Sequence, residues 1–164
     1  MSSDAVKRLA GRALAAAAAL AFVAPLLTRL VVGQVFYQTG AGKLGNIEGV
    51  TSFFSSLGIP FPGLNAHFVS RVEYYGGILL ILGLATRIAS LLLASTMVVA
   101  LLTADREAFL AALSGSGDAG LTDVAPVVLL LFLSWLILHG PGVVSLDAVV
   151  VRKLWKAPDG AGKT

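Results

Sequence analysis

Four apolar runs, separated by charged, glycine-rich or proline-containing segments, dominate the hydrophobic pattern of the chain. They lie at about 26–42, 64–85, 88–104 and 123–139. An α-helix needs about 20 mostly apolar residues to cross the hydrocarbon core of a bilayer. The pattern therefore predicts an all-α integral membrane protein, an antiparallel four-helix transmembrane bundle with amphipathic flanking helices.

A shorter amphipathic element separates the first and second runs. Val50, Phe53, Phe54 and Leu57 recur at helical spacing, and the segment 58–63 supplies the glycine and proline residues that end a helix. We expect a short helix that lies on the membrane surface and is followed by a turn.

Short connections are expected around the later spans. Only Thr86 and Arg87 separate the second and third runs, which predicts an antiparallel hairpin. Thr122 or Asp123 is expected to cap the fourth helix, and the Gly-Pro-Gly segment 140–142 is expected to end it.

The chain then divides into three regions. Residues 1–24 are predicted to form an N-terminal interfacial extension, either a cytoplasmic interfacial helix or an extension of the first span, bent at Pro25. Residues 25–157 are predicted to form the four-helix membrane domain, and residues 158–164 a flexible tail. A signal peptide is the rival interpretation of the basic, alanine-rich start. Phe22 disfavours removal, because it stands where cleavage needs a small residue.

Two further segments belong to the predicted membrane domain. Residues 105–122 are expected to form a polar connection, and the segment 145–147 is expected to cap a short tail helix that reaches about Trp155. Arg152 and Lys153 on that helix suit an anionic membrane face.

Composition supports the membrane assignment and narrows the chemistry. Hydrophobic residues make up 57% of the chain and charged residues only 13%, unlike ordinary soluble domains. The absence of cysteine excludes disulfide chemistry and an iron–sulfur cluster held by this chain alone. With only two histidines, far apart in sequence, we expect no metal or covalent cofactor. Membrane topology already explains the basic residues, so we expect no nucleic-acid partner.

The basic residues are distributed unevenly among the predicted loops. One side of the membrane would hold Lys7, Arg8, Arg12, Arg87, Arg152, Lys153, Lys156 and Lys163. The other side would hold only Lys43, Arg71 and Arg106, beside several acidic residues. Because cytoplasmic loops carry the excess of Lys and Arg, this asymmetry predicts four spans with both termini cytoplasmic.

Glu73 is an ionisable residue inside a predicted span. On a helix it shares one face with Gly76, Gly77, Gly83 and Arg87, and glycine lets a neighbouring helix approach closely. An ionisable group at membrane depth has to face protein or water. Two roles stay open: a buried ion pair or hydrogen bond that fixes helix register, and a proton-accepting or quinone-binding group.

Polar residues from two spans are expected at the depth of Glu73. They would form an outer cluster of Gln38, Lys43, His67, Arg71 and Glu73. The carboxylate would meet Gln38 or Lys43, beside an apolar slot containing Tyr74, Tyr75 or Phe36.

A second, inner cluster is expected to contain Arg29, Thr86, Arg87 and His139. Arg29 would lock the bundle or snorkel to the inner headgroups, or else hold a lipid or quinone oxygen.

An ordered set of short motifs resembles the DoxX family over about residues 25–155. The set comprises Arg29, Gly33, Gly40 and Lys43-Leu44; the Gly58-Ile59-Pro60 turn; Glu73 with Gly76-Gly77; Leu82-Gly83-Leu84-Ala85-Thr86-Arg87; Met97 three positions before Ala100; and Gly140-Pro141-Gly142 before Ser145-Leu146-Asp147. The resemblance implies a small four-helix membrane protein. It also implies a subunit of a quinone-linked oxidoreductase, such as thiosulfate:quinone oxidoreductase, or a partner of soluble redox and sulfur-transfer enzymes.

The expected function is that of an accessory subunit of a quinone-linked oxidoreductase complex in the bacterial inner (cytoplasmic) membrane. Glu73, Arg29, Gln38 and Lys43 are the candidate residues for binding quinone or lipid, and no residue is assigned a catalytic or metal-binding role. Membrane lipids and a larger membrane complex are the expected partners. The alternative is a non-catalytic scaffold or anchor in a larger membrane assembly, and a small transporter is a weaker third option.

Overall fold

The computed structural model describes residues 7, 11, 12, 14, 15, 18–116 and 120–154, the last without its side chain. Within this part of the chain the secondary structure is helical, which confirms the predicted all-α class. The helices are α1 (Val23–Gly45), α2 (Ile47–Ser56), α3 (Pro62–Leu82), α4 (Thr86–Leu102), α5 (Arg106–Ser114), α6 (Ala125–His139) and α7 (Leu146–Leu154), with a 3-10 turn at Leu121–Asp123.

Helices α1, α3, α4 and α6 surround one apolar core. Helix α1 packs mainly against α3, and α4 packs mainly against α6, while α3–α4 and α1–α6 contacts join the two pairs. The core contains Val32, Phe36, Leu80, Ala89, Leu93, Met97, Leu133 and Leu136. Helix α2 lies on α3, to one side of this core.

Glycine determines how closely α1 and α3 approach. A Cβ added at Gly40 would overlap the backbone of Tyr74, and one added at Gly77 would overlap the backbone of Tyr37. Contacts that pair Gly40 with Tyr74, and Gly33 with Gly77, also show that the two helices run antiparallel. The glycine face predicted on the second apolar run is therefore a helix–helix contact.

Besides the apolar core, the protein buries two charged side chains and exposes many large apolar ones. Arg29 and Glu73 are each only 1% exposed, whereas Ile88, Leu131 and Leu138 are each at least 65% exposed. Soluble proteins almost never bury charged residues fully unless they are paired. The outer surface of the helices is therefore suited to contact with lipid.

Among the described residues, one segment has both the length and the composition of a membrane span. It is Ala18–Gly45, of 28 residues, which includes α1. Helices α4 and α5 meet these criteria only when taken together, and they are bent by 78° relative to each other. Helix α6 is apolar but shorter than a typical span.

The hairpin between α3 and α4 differs from the predicted one. Thr86 and Arg87 belong to the first turn of α4, and the connection is Gly83–Ala85. Gly83 and Ala85 both adopt left-handed backbone conformations, at φ 67° and 48°. Glycine tolerates this region but alanine does so only at a cost, so periodicity alone does not place the turn here.

The segment expected to be a polar connection contains helix α5, which the sequence pattern did not indicate because its charged first turn resembles a loop. The predicted cap of the fourth apolar helix is wrong. The Asp123 carboxylate does not cap α6, since it accepts a hydrogen bond from the Gly120 amide at 2.8 Å. Helix α6 begins after Val124 without a side-chain cap, and Pro126 lies in its first turn.

Half of the predicted N-terminal extension and all of the tail 158–164 lie outside the described residues. A turn at Ala21 and Phe22 precedes α1, and Pro25 is accommodated in the first turn of that helix. The predicted helix ends at Gly58 and at the 140–142 segment are confirmed, and Gly58 and Gly140 have positive φ angles.

We predict that Gly40→Ala lowers the stability of the protein by about 1–3 kcal/mol, as overpacking typically does. The added methyl group meets backbone atoms of α3, which cannot rotate away. Gly42→Ala on the same helix is the matched control, because no atom lies within 4 Å of the added carbon. Thermal unfolding in detergent, followed by circular dichroism, measures both. Equal melting temperatures for the two variants would contradict the close packing.

Candidate functional site

A buried ion pair joins α1 to α3. Lys43 Nζ lies 2.5 Å from Glu73 Oε1. The Glu73 side chain is 1% exposed and the Lys43 side chain 32% exposed, so the carboxylate is inside the protein and the amine reaches its edge. Gly40, one turn before Lys43, lies against the backbone between Glu73 and Tyr74 and permits this short distance.

The second oxygen of the Glu73 carboxylate is free. Glu73 Oε2 is buried and has no hydrogen-bond partner among the described residues. Glu73 and Lys43 both line a cavity of about 510 Å³. This volume falls within the range of about 300–1,000 Å³ that is typical of small-molecule sites.

The walls of the cavity are mostly apolar and come from four helices besides α1. Helix α2 contributes Phe53 and Phe54, α4 contributes Met97, and α6 contributes Leu129. Asp105, just after α4, adds a second acidic residue to the lining. The cavity therefore combines one buried charged pair with aromatic and aliphatic walls, which suits a flat apolar molecule with a few polar atoms.

Local sequence determines how α2 covers the cavity. The Asn46 side chain accepts a hydrogen bond from the Gly49 amide at 3.2 Å and so caps the start of α2. The helix ends at Gly58, whose φ of 72° lets the chain turn back towards α3. The apolar stripe that the sequence interpretation placed on the membrane surface faces this cavity, so Phe53 and Phe54 were missed as site residues.

The predicted outer cluster is only partly assembled. Lys43 and Glu73 meet, whereas Gln38 is exposed on α1 and does not line the cavity. His67 and Arg71 are exposed and line a different, apolar groove of about 460 Å³ between α3 and α4. Periodicity predicts the level of each residue along its helix but not the direction in which its side chain points.

The predicted aromatic slot lies elsewhere. Phe36 is 1% exposed in the helix core, and Tyr75 is 58% exposed at the groove between α3 and α4. Tyr74 packs against Tyr37 with ring centroids 5.2 Å apart. None of these aromatic rings lines the Glu73 cavity.

Arg29 occupies a separate site near the other end of α1. It lies about 21 Å from Lys43 along the helix, because each residue of an α-helix adds about 1.5 Å to its length. The guanidinium is buried beneath Gly83 and donates a hydrogen bond to the carbonyl of Val144. Its Nε and Nη1 atoms have no hydrogen-bond partner within the described part of the chain.

Asp147 completes this inner site by capping a helix to which it does not belong. Its carboxylate accepts hydrogen bonds from the amides of Ala85 at 2.7 Å and Thr86 at 3.0 Å, at the start of α4. The Asp147 amide in turn donates to the Gly83 carbonyl at 2.9 Å. The predicted cap of the tail helix comes from Ser145, whose hydroxyl accepts from Ala148 N at 3.1 Å.

The two polar sites differ in what they can do chemically. The inner one joins the α3–α4 hairpin to the segment before α7 through hydrogen bonds of Arg29 and Asp147 to backbone groups. The outer one offers a cavity with an ammonium donor on Lys43 and a carboxylate acceptor on Glu73. No group of histidine, aspartate or glutamate side chains in the described residues is arranged to hold a metal ion.

These features define a helical membrane-associated protein with a polar pair buried beneath an amphipathic helix. The DoxX family model matches residues 24–106, which include α1 to α4 and the Lys43–Glu73 pair. The chain therefore belongs to the DoxX family.

A relative in Bacillus subtilis (strain 168) is described as "Putative oxidoreductase CatD". It is 37% identical to this chain over 81 residues, which is 49% of this chain. The chain spans 59% of the length of that protein. No solved structure matches the chain significantly.

We predict that Lys43→Met destabilises the protein by about 3 kcal/mol, because it leaves a buried carboxylate without its cation. The double variant Lys43→Met/Glu73→Gln removes both charges and should recover most of this loss. Lys153→Met, at an exposed position of α7, is the control for loss of a lysine. Equilibrium unfolding of the unaltered protein, Lys43→Met, Glu73→Gln and the double variant gives the coupling free energy. Additive losses in the double variant would show that the pair does not interact.

We also predict that Asp147→Ala lowers stability by about 1–2 kcal/mol, because two amides at the start of α4 lose their acceptor. Asp147→Asn should fall between Asp147→Ala and the unaltered protein, since the amide retains one acceptor oxygen. Asp123→Ala is the control, because that exposed carboxylate accepts one hydrogen bond in a loop. The measurement is the melting temperature of each variant. An equal fall in melting temperature for Asp123→Ala and Asp147→Ala would contradict the capping role of Asp147.

Proposed function

We propose that α1, α3, α4 and α6 cross the bacterial inner membrane as a four-helix antiparallel bundle with both termini cytoplasmic. Their shared core and lipid-compatible outer surface support this arrangement. The excess of basic residues near the ends of the chain supports the orientation. In that orientation the Glu73 cavity opens towards the extracytoplasmic side.

We further propose that the protein is an accessory subunit of a quinone-linked oxidoreductase complex and that the Glu73 cavity binds the quinone head group. The observation that carries this proposal is that Glu73, whose buried Oε2 has no partner among the described residues, lines a mostly apolar cavity. A buried acceptor without a partner costs free energy, typically about 1–3 kcal/mol, which a ligand hydroxyl would recover. The description of the Bacillus subtilis relative as an oxidoreductase also supports a redox role.

Each residue of the cavity has a specific part in this proposal. The Lys43 ammonium donates a hydrogen bond to a quinone carbonyl, and Glu73 Oε2 accepts one from a quinol hydroxyl. Phe53 and Phe54 pack against the flat ring. A bound quinone would supply two-electron transfer between membrane redox partners.

The remaining predicted ligand residues are not part of this proposed site. Gln38 is exposed, and Arg29 is about 21 Å away along α1. In our proposal Arg29 does not bind a ligand. It holds the segment before α7 against the α3–α4 hairpin.

A scaffold role is the competing function. In that case the Lys43–Glu73 pair only fixes α1 and α3 in register, and the exposed apolar helix faces pack against other membrane subunits. The ion pair and the glycine contact are compatible with this role. The free Glu73 oxygen and the cavity beside it are not needed for it, which is why we favour the ligand site.

We predict that Glu73→Gln changes the preference between the oxidised and reduced forms of a short-chain quinone. Lys43 would bind the amide oxygen of the new glutamine, so its NH₂ group would face the cavity and donate where the carboxylate accepted. Quinol affinity should fall about tenfold relative to quinone affinity, as expected for loss of a hydrogen bond to a charged group. Calorimetric titration of the protein in lipid nanodiscs measures both affinities.

The matched control is Glu48→Gln, which alters an exposed carboxylate on α2 that does not line this cavity. It should leave both affinities unchanged. If the unaltered protein bound neither form, or if Glu73→Gln reduced stability without altering the ratio of the affinities, the scaffold role would be favoured.

A further inference from the structure

A second groove, on the opposite end of the molecule from the Glu73 cavity, has no role in the proposed function. It has a volume of about 760 Å³ and lies between the start of α4, the loop after α6, and α7. Arg87, His139 and Arg152 line it, so three basic side chains from three separate segments converge on one groove.

Arg87 is held in place by the loop after α6. Its Nη2 atom lies 3.5 Å from the carbonyl oxygen of Leu138. A Cβ added at Gly140 would lie 3.3 Å from Arg87 Nε, so the glycine allows the guanidinium to pack against the loop backbone. His139 is also oriented, because its ring stacks on Trp135 with centroids 4.0 Å apart.

Asp147 is the acidic residue that lines the groove, but its carboxylate is already hydrogen-bonded within the protein. Both of its carboxylate oxygens accept hydrogen bonds from amides at the start of α4. Arg87 and Arg152 are both exposed, and none of their side-chain hydrogen bonds is to a carboxylate in the described residues. The groove therefore has donors available for an anion.

The rest of the groove is apolar although it is open. Ile88 is 65%, Val143 60% and Val151 56% exposed, and all three line it. Exposed aliphatic side chains would not increase the affinity of the groove for a small soluble anion. A basic rim above exposed aliphatic residues complements a molecule with an anionic head and a hydrocarbon chain.

We propose that this groove binds an anionic phospholipid of the cytoplasmic leaflet. Arg87 and Arg152 hold the phosphate through charge-assisted hydrogen bonds, and an acyl chain lies along Ile88, Val143 and Val151. The site lies at the end of the bundle where the sequence places its excess of basic residues. This proposal is independent of quinone binding at Glu73.

Native mass spectrometry of the detergent-purified full chain with added phosphatidylglycerol or phosphatidylcholine tests the site. The unaltered protein should retain phosphatidylglycerol in preference to phosphatidylcholine. Arg87→Gln and Arg152→Gln should each lower the bound fraction of phosphatidylglycerol about tenfold, as expected for loss of a charge-assisted hydrogen bond. Lys153→Gln is the matched control, because it removes a neighbouring positive charge on α7 that does not line the groove.

Three results would overturn the proposal. The first is an equal loss in Lys153→Gln, which would indicate diffuse attraction to the basic helix. The second is full displacement of the lipid by glycerol 3-phosphate at equal concentration, which would indicate a site for a soluble phosphate. The third is unchanged lipid retention in both arginine variants. If Arg87→Gln fails to fold, Arg152→Gln decides the outcome, because Arg152 is exposed and makes no side-chain hydrogen bond in the described residues.

Discussion

Helices α1 and α3 approach so closely that Gly40 lies against the backbone of Tyr74 and Gly77 against that of Tyr37. This contact brings the Lys43 ammonium within 2.5 Å of the Glu73 carboxylate in the interior. An isolated buried charge would be costly, so the glycine contact and the ion pair depend on each other. The α2 helix then covers the pair and creates the cavity in which one carboxylate oxygen stays free.

The two ends of the molecule use buried polar groups differently. At the inner end, Arg29 and Asp147 are occupied by backbone groups of the segment before α7 and of the α3–α4 hairpin, which joins distant parts of the chain. At the outer end, the charged pair satisfies only part of its hydrogen-bonding capacity. Two buried nitrogen atoms of Arg29 also lack partners among the described residues, so what distinguishes the outer pair is the cavity that both of its residues line.

The hydrophobic pattern predicted the four apolar helices and placed Glu73 within reach of Lys43 or Gln38, because helical rise and period are constant. It did not place Gln38, His67 or Arg71, since the direction of each side chain depends on helix rotation within the packed protein. The hairpin turn was predicted at the wrong residues, because Ala85 adopts a left-handed conformation that alanine rarely takes. The roles of α2 and Asp147 were missed because both depend on tertiary contacts with sequence-distant segments.

Photoaffinity labelling with an azido-quinone reports where the head group binds and so tests the proposed quinone site at Glu73. We expect labels on Phe53, Phe54 or Met97 that unlabelled quinone prevents. Glu73→Gln should alter this labelling, and Glu48→Gln should not. Labels confined to the apolar groove beside His67, or labelling that excess quinone does not reduce, would contradict a quinone site at Glu73.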